Sequence, residues 1–274
     1  MSLAYEIWGE GPLRLVALHG FTGNRTAFNH LKPYWAEHCQ VLALDLPGHG
    51  QTPLSFAPTF ARTLDACLKL FDALGWHGAN LVGYSLGARV ALGLAIQRPE
   101  LFGRLVLESG SPGLRRRKAR SERRRTDEQL ATSLETAGLV NFVRRWEALP
   151  LFDGVRGLAT DVQESLRARR LDASAEGLAG SLRGFGLGMQ PSYWTELHKL
   201  RLPTLILTGA RDVKFTQTAR EMAAELPSAW RRTFQDVGHA PHLEAPAEYS
   251  SEVLGFLRTP WMESAPLELE TGST

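Results

Sequence analysis

Ser85, Asp212 and His239 have the types and the chain order that turn a weak nucleophile into a working one. A serine hydroxyl is nearly inert at neutral pH. It needs an imidazole base within hydrogen-bond reach and a carboxylate to orient that base. Ser85 lies in Gly83-Tyr84-Ser85-Leu86-Gly87, between the strand-like run ANLVGY and the helix-like run LGARVALGLAI. A G-x-S-x-G at a strand-to-helix turn holds the serine on a strained elbow, where small neighbours permit the tight backbone and the hydroxyl projects at the helix start. Asp212 follows the apolar run PTLILTG, and His239 follows RRTFQD within VGHAPH. Serine, then acid, then histidine, each at the carboxyl end of a strand, is where open α/β sheets place their sites. Two rivals stand close by. His239 is preferred to His242 because Gly238 suits a tight turn that presents the side chain, which leaves His242 facing the surrounding loop. Glu108, at the end of RLVLES, is a rival acid or a supporting residue.

The run LRLVAL leads into His19-Gly20-Phe21. The loop after such a strand supplies one backbone N–H of an oxyanion hole, and the residue after the nucleophile supplies the other, which designates Phe21 and Leu86. His19 reads as a brace for that loop. Arg89, four residues beyond Ser85 on one helix, shares its face. A buried arginine there needs an anionic partner, either an internal carboxylate or a substrate carboxylate. The run RRRKARSERRRTD reads mainly as solvated charge, and without interleaved aromatics it argues against nucleic acid. With no P-loop, dinucleotide fingerprint or HExxH, neither a metal nor a cofactor is expected.

These residues need elements to position them. Short apolar runs alternate with helical patterns, the signature of a mostly parallel sheet. Strands are expected at LAYEIW, LRLVAL, QVLALD, ANLVGY, RLVLES, PTLILTG and RRTFQD, with helices near 27–37, 61–74, 86–97, 217–226 and 247–257. The alternation stops after LVLESGSPG and resumes at LPTLILTG. Residues 112–198 are therefore expected to form an all-helical cap insertion at the sheet edge, covering its top. The core would comprise 1–111 and 199–260, with 261–274 a mobile tail. The expected class is an α/β-hydrolase fold, a mostly parallel central sheet with helices on both faces. Apolar residues at 43% and charged residues at 22% suit a globular domain. The opening MSLAYEIWGEG lacks an export signal and no membrane span is evident, so a cytoplasmic location is expected. Cys39 and Cys67 form no disulfide framework. Net charge is +2, with the basic surplus concentrated between Ser111 and Thr195.

With these residues in place, the chain resembles the MenH family, the 2-succinyl-6-hydroxy-2,4-cyclohexadiene-1-carboxylate synthases of menaquinone biosynthesis. HGFTG, LDLPGHG, GYSLGARVA, ESGSPGL, ERRRTD, LGMQP, GARDVKF and GHAPHLEAP stand in the family's order. The resemblance implies a lyase that eliminates pyruvate from 2-succinyl-5-enolpyruvyl-6-hydroxy-3-cyclohexene-1-carboxylate. It also implies substrate contacts at Tyr84, Arg89, Arg123, Trp146 and Arg170, with Arg124 and Arg125 as neighbours that could replace Arg123. The implied partner is a small polycarboxylate. A serine hydrolase of the same fold is the alternative, and a non-catalytic protein holding an acidic partner is a third reading.

Overall fold

The computed structural model describes residues 3–54 and 58–259; the segment 261–274 lies outside the described residues. The strands are β1 Tyr5–Trp8, β2 Leu13–Leu18, β3 Cys39–Leu44, β4 Ala79–Tyr84, β5 Phe102–Glu108, β6 Thr204–Gly209 and β7 Ala229–Phe234. They make one sheet in the order β1-β3-β2-β4-β5-β6-β7. Only β1 runs antiparallel to its neighbour. The central strands read as unbroken apolar runs because helices cover both faces of the sheet. Every residue of β6 is buried, and so are Leu15 to Leu18 of β2.

The principal helices are α1 Phe60–Leu74, α2 Leu86–Gln97, α3 Arg117–Glu147, α4 Thr160–Leu171, α5 Ala175–Phe185, α6 Val213–Glu225 and α7 Pro246–Arg258. Leu64, Leu68 and Phe71 recur at helical spacing, so α1 buries one stripe. That stripe joins α2 and α6 in an apolar layer on one face of the sheet. On the other face Phe28, Trp35, Tyr249 and Val253 pack against Val82, Val106 and Leu207. Two expected helices differ from expectation. The segment expected at 27–37 is a 3-10 helix over Arg25–Leu31 followed by one α-turn, Lys32–Trp35. The helix expected from 217 starts at Val213, because the Asp212 carboxylate accepts the Phe215 N–H at 3.2 Å and caps it.

The helical segment leaves the sheet between β5 and β6. These strands are neighbours inside the sheet, so the expectation of an insertion at its edge was incorrect. A chain that leaves and re-enters at adjacent interior strands comes out over their carboxyl ends. There α3 packs on α5 through Ala131, Leu134, Phe142, Val143, Leu178 and Leu182. Gly138, at φ 78°, breaks α3 into two arms. Among the described residues no helix is long and apolar enough to cross a membrane.

Buried histidines tie the loops at these strand ends. His19 Nδ1 donates to the Gly20 carbonyl at 2.8 Å, and its Nε2 accepts the Leu46 N–H at 3.0 Å, joining the loops after β2 and β3. His49 packs 4.9 Å from the His19 ring, and His30 Nε2 donates to the His242 carbonyl at 2.7 Å. Burial pushes His19 down to about 4, His30 to about 4 and His49 to about 3. All three are neutral when folded, whereas in the unfolded chain each takes a proton near 6.5. The unfolded state thus binds more protons between pH 6.5 and 4, and folding stability falls as pH drops through that window. Denaturant unfolding from pH 7 to 4.5 should show this decline, with a shallower slope in His49→Gln.

Candidate active site

The parallel register brings the ends of β4, β6 and β7 together, and with them the three chemical residues. His239 Nδ1 lies 2.6 Å from Asp212 Oδ2, and its Nε2 lies 3.1 Å from Ser85 Oγ. Because the carboxylate accepts, Nδ1 carries the proton, which leaves Nε2 free to accept the serine proton. Asp212 and His239 are buried, at 8% and 2% exposure. The second Asp212 oxygen is the cap of α6, so one side chain fixes both the helix start and the imidazole.

Ser85 has φ 51° and ψ −101°, a backbone conformation that L-residues seldom adopt. Its N–H donates to the Glu108 carbonyl at 2.8 Å. A Cβ on Gly87 would stand 2.0 Å from the Leu18 carbonyl oxygen, and one on Gly83 would stand 2.4 Å from the Gly87 carbonyl oxygen. The two glycines of the motif are therefore required by contact: they let strand, turn and helix close around the serine. Leu86 opens α2, where an amide has no partner within the helix. Phe21 lines the same cavity, together with Leu86 and Ser85.

That cavity, about 390 Å³, lies between the strand ends and the helical segment. Arg89 is half-buried in its wall. Its guanidinium donates to two neutral oxygens, the Phe185 carbonyl and Gln190 Oε1, each at 3.1 Å. Burial, and next the charge of Arg123, pull Arg89 down to about 9. No carboxylate pairs with it among the described residues, so the internal salt bridge left open by the sequence does not form. Arg123 lines the cavity as well, its Nε donating to Asp127 Oδ1 at 2.7 Å. Arg124 faces a separate outer pocket with Met189, and Arg125 is exposed. Of the three adjacent arginines the structure brings Arg123 to the cavity.

Trp146 lines the cavity with its ring stacked on Phe142 at 5.6 Å and edge-on to Phe21 at 5.2 Å. Its indole N–H is buried without a hydrogen-bond partner among the described residues, a donor available to a ligand. Tyr84 sits between two imidazoles, 5.5 Å from His239 and 4.5 Å from His242. Arg170 is absent from the lining of the Ser85 cavity. It is engaged by Glu147 at 3.0 Å and faces an adjoining pocket that also touches Tyr84 and Phe21.

The chain matches the model of the α/β hydrolase family over residues 15–252. A Salmonella paratyphi A 2-succinyl-6-hydroxy-2,4-cyclohexadiene-1-carboxylate synthase is 34% identical over 90% of this chain and 95% of its own length. A Bacillus subtilis protein that carries this synthase name provisionally is 36% identical over 93% and 95%. The chain belongs to the MenH family of α/β hydrolases. The solved structure of MenH from S. aureus superposes with a TM-score of 0.89 at 34% identity, covering 93% of this chain and 97% of that one.

Set within the MenH family, several residues at this site were not evident from the sequence. Lys214 and Phe215 line the cavity because Asp212 starts α6 early and turns the residues after it toward the site. Their signal was the segment RDVKF. Gln190, of the segment LGMQP, holds Arg89 and is itself fixed by donating to the Ser111 carbonyl at 3.1 Å. His242 does not face the surrounding loop as expected. It is buried, with Nδ1 2.6 Å from Glu108 Oε1, forming a second histidine–carboxylate pair beneath Tyr84. Glu108 therefore supports His242 and leaves Asp212 as the acid on His239.

Ser85→Ala and His239→Ala should each lower kcat by up to about 10⁶-fold, and Asp212→Asn by about 10⁴-fold, with the fold retained. If Ser85 serves only as a base, the losses will be smaller but still severe. Purified variants with wild-type circular dichroism, assayed at fixed time points, check this. Activities within a few-fold of wild type in all three would remove these residues from the chemistry.

Proposed function

We propose that this protein is a carbon–oxygen lyase that eliminates pyruvate from 2-succinyl-5-enolpyruvyl-6-hydroxy-3-cyclohexene-1-carboxylate, giving 2-succinyl-6-hydroxy-2,4-cyclohexadiene-1-carboxylate in menaquinone biosynthesis. Family membership supports the reaction class. The observation that carries the reading to this chain is Arg89: a half-buried guanidinium with only neutral hydrogen-bond acceptors among the described residues, set in the same cavity as Ser85. A buried cation is costly unless an anion meets it. A substrate bearing several carboxylates supplies that anion, through charge-assisted contacts that a planar guanidinium makes well.

In this reading Ser85, its proton drawn by His239 and the imidazole held by Asp212, removes the proton from ring carbon 2, which bears the succinyl chain and lies across the 3,4 double bond from the carbon that carries the enolpyruvyl oxygen. The electron pair left behind forms the double bond between ring carbons 2 and 3, the 3,4 double bond shifts to carbons 4 and 5, and the bond from carbon 5 to the enolpyruvyl oxygen breaks. Enolpyruvate departs, gains a proton at carbon and becomes pyruvate. Water is neither consumed nor released. The amides of Phe21 and Leu86 stabilise the charge that develops. Arg89 and Arg123 hold carboxylates, Tyr84 and Trp146 shape the ring's seat, and residues 112–198 act as a cap over the core formed by 1–111 and 199–260. Arg170 contributes from the adjoining pocket once its bond to Glu147 is shared or released.

The experiment incubates purified protein with the enolpyruvyl substrate and follows both products, with intact-protein mass spectrometry during turnover. Pyruvate and the cyclohexadiene should appear in equal amounts and the protein mass should stay unchanged. Absence of both products, or a substrate acyl group trapped on Ser85, would return the site to ester hydrolysis.

A further inference from the structure

Arg169 has no role in the reaction described above and no hydrogen-bond or ion-pair partner among the described residues. It precedes Arg170 on α4, and successive side chains on a helix point about 100° apart. Arg170 therefore reaches Glu147, while Arg169 makes no hydrogen bond or ion pair among the described residues. Its surroundings sharpen the anomaly. Arg169 lines a cavity of about 50 Å³ between α4 and the loop after β2, with Thr22, Gly23, Tyr84 and His242. No carboxylate lines that cavity. The nearby His19 and His30 are neutral and offer no counter-charge, and Arg170 adds a second cation. Burial, with Arg170, pulls the Arg169 guanidinium down to about 10, yet it stays charged at neutral pH. This half-buried guanidinium has five N–H donors and no way to discharge. Two guanidinium groups on one wall, with no carboxylate among its lining residues, favour an anion from outside.

The position of the cavity says where that anion comes from. It shares Phe21, Tyr84 and Phe152 with the Ser85 cavity, so the two adjoin across the aromatic wall beside the serine. Its volume admits a carboxylate and a few further atoms but no six-membered ring. We propose that Arg169 forms a carboxylate subsite that receives one arm of the substrate, while the ring and its other charges occupy the larger cavity with Arg89 and Arg123. This rests on the polycarboxylate reading of the substrate above. The arm is either the enolpyruvyl group that leaves as pyruvate or the succinyl chain, and both present the same head group.

The test uses the full chain with Arg169→Gln and Arg169→Lys. Wild-type protein must first convert the enolpyruvyl substrate to pyruvate and cyclohexadiene; failure there counts against the proposed reaction. The subsite is then judged on the variants and, independently of turnover, on quenching of Trp fluorescence by pyruvate and by succinate. Arg169→Gln should lower kcat/KM for the enolpyruvyl substrate about 10- to 150-fold, the loss expected for a charge-assisted hydrogen bond. It should weaken binding of either pyruvate or succinate by a similar factor, and the acid affected identifies the arm. Lysine should recover part of the loss, because it keeps the charge without the planar fork. Without ligand, Arg169→Gln should unfold at or near the wild-type temperature, since no ion pair among the described residues is lost. Wild-type kcat/KM together with unchanged binding of both acids would show Arg169 to be merely solvated. A lowered unfolding temperature with equal losses on the native substrate and on a neutral aryl ester would show it to be structural. Either result overturns the proposal.

Discussion

The turn at Ser85 constrains everything else at this site. A residue with a side chain sits at φ 51° only because the strand before it and the helix after it are both anchored. The anchoring is by contact and by hydrogen bond. Gly87 abuts the Leu18 carbonyl, and the Ser85 N–H is tied to the end of β5. Once the turn is set, the serine oxygen points where the ends of β6 and β7 deliver Asp212 and His239. A flatter turn would carry the hydroxyl out of reach of an imidazole that already lies 3.1 Å away. The strain at one residue is offset by a large apolar sheet, whose two buried layers have ample free energy to hold it.

Charge then decides what the serine is used for. The triad alone would suit ester hydrolysis as well as proton abstraction. The wall opposite is cationic: Arg89 rests on neutral oxygens, Arg123 is tied to one carboxylate, and Lys214 stands at the start of α6. Such a wall favours anionic substrates and places a neutral ester at a disadvantage. The helical segment is basic for the same reason, although some of its exposed arginines, such as Arg183 on Glu128 and Glu135, are spent on surface ion pairs worth little each.

The sequence carried the triad and the sheet because both depend on order along the chain. Alternating strands and helices fix which loops share an end of the sheet, and chain order puts Ser85, Asp212 and His239 on loops at that end. Facing within a helix is a different kind of information. Arg169 and Arg170 adjoin in sequence and line one cavity, yet α4's rotation brings Glu147 to Arg170 alone. The same limit hid Lys214, whose orientation depends on a helix that starts at its cap and not where the apolar period becomes visible. His242 was misplaced because its partner, Glu108, comes from a strand 134 residues away. The insertion was put at the sheet edge because the order of strands within a sheet cannot be read from their order in the chain.

The central claim is that a cationic wall, set beside an ordinary serine triad, selects a polycarboxylate for elimination. The most direct test is kcat/KM of Arg89→Ala on the enolpyruvyl substrate and on a neutral aryl ester of similar size, with folding checked by circular dichroism. The account predicts a loss of about 10- to 150-fold on the first, the range for losing a charged hydrogen bond, and a change within about two-fold on the second. Equal losses on both substrates would make Arg89 a packing residue and contradict the account.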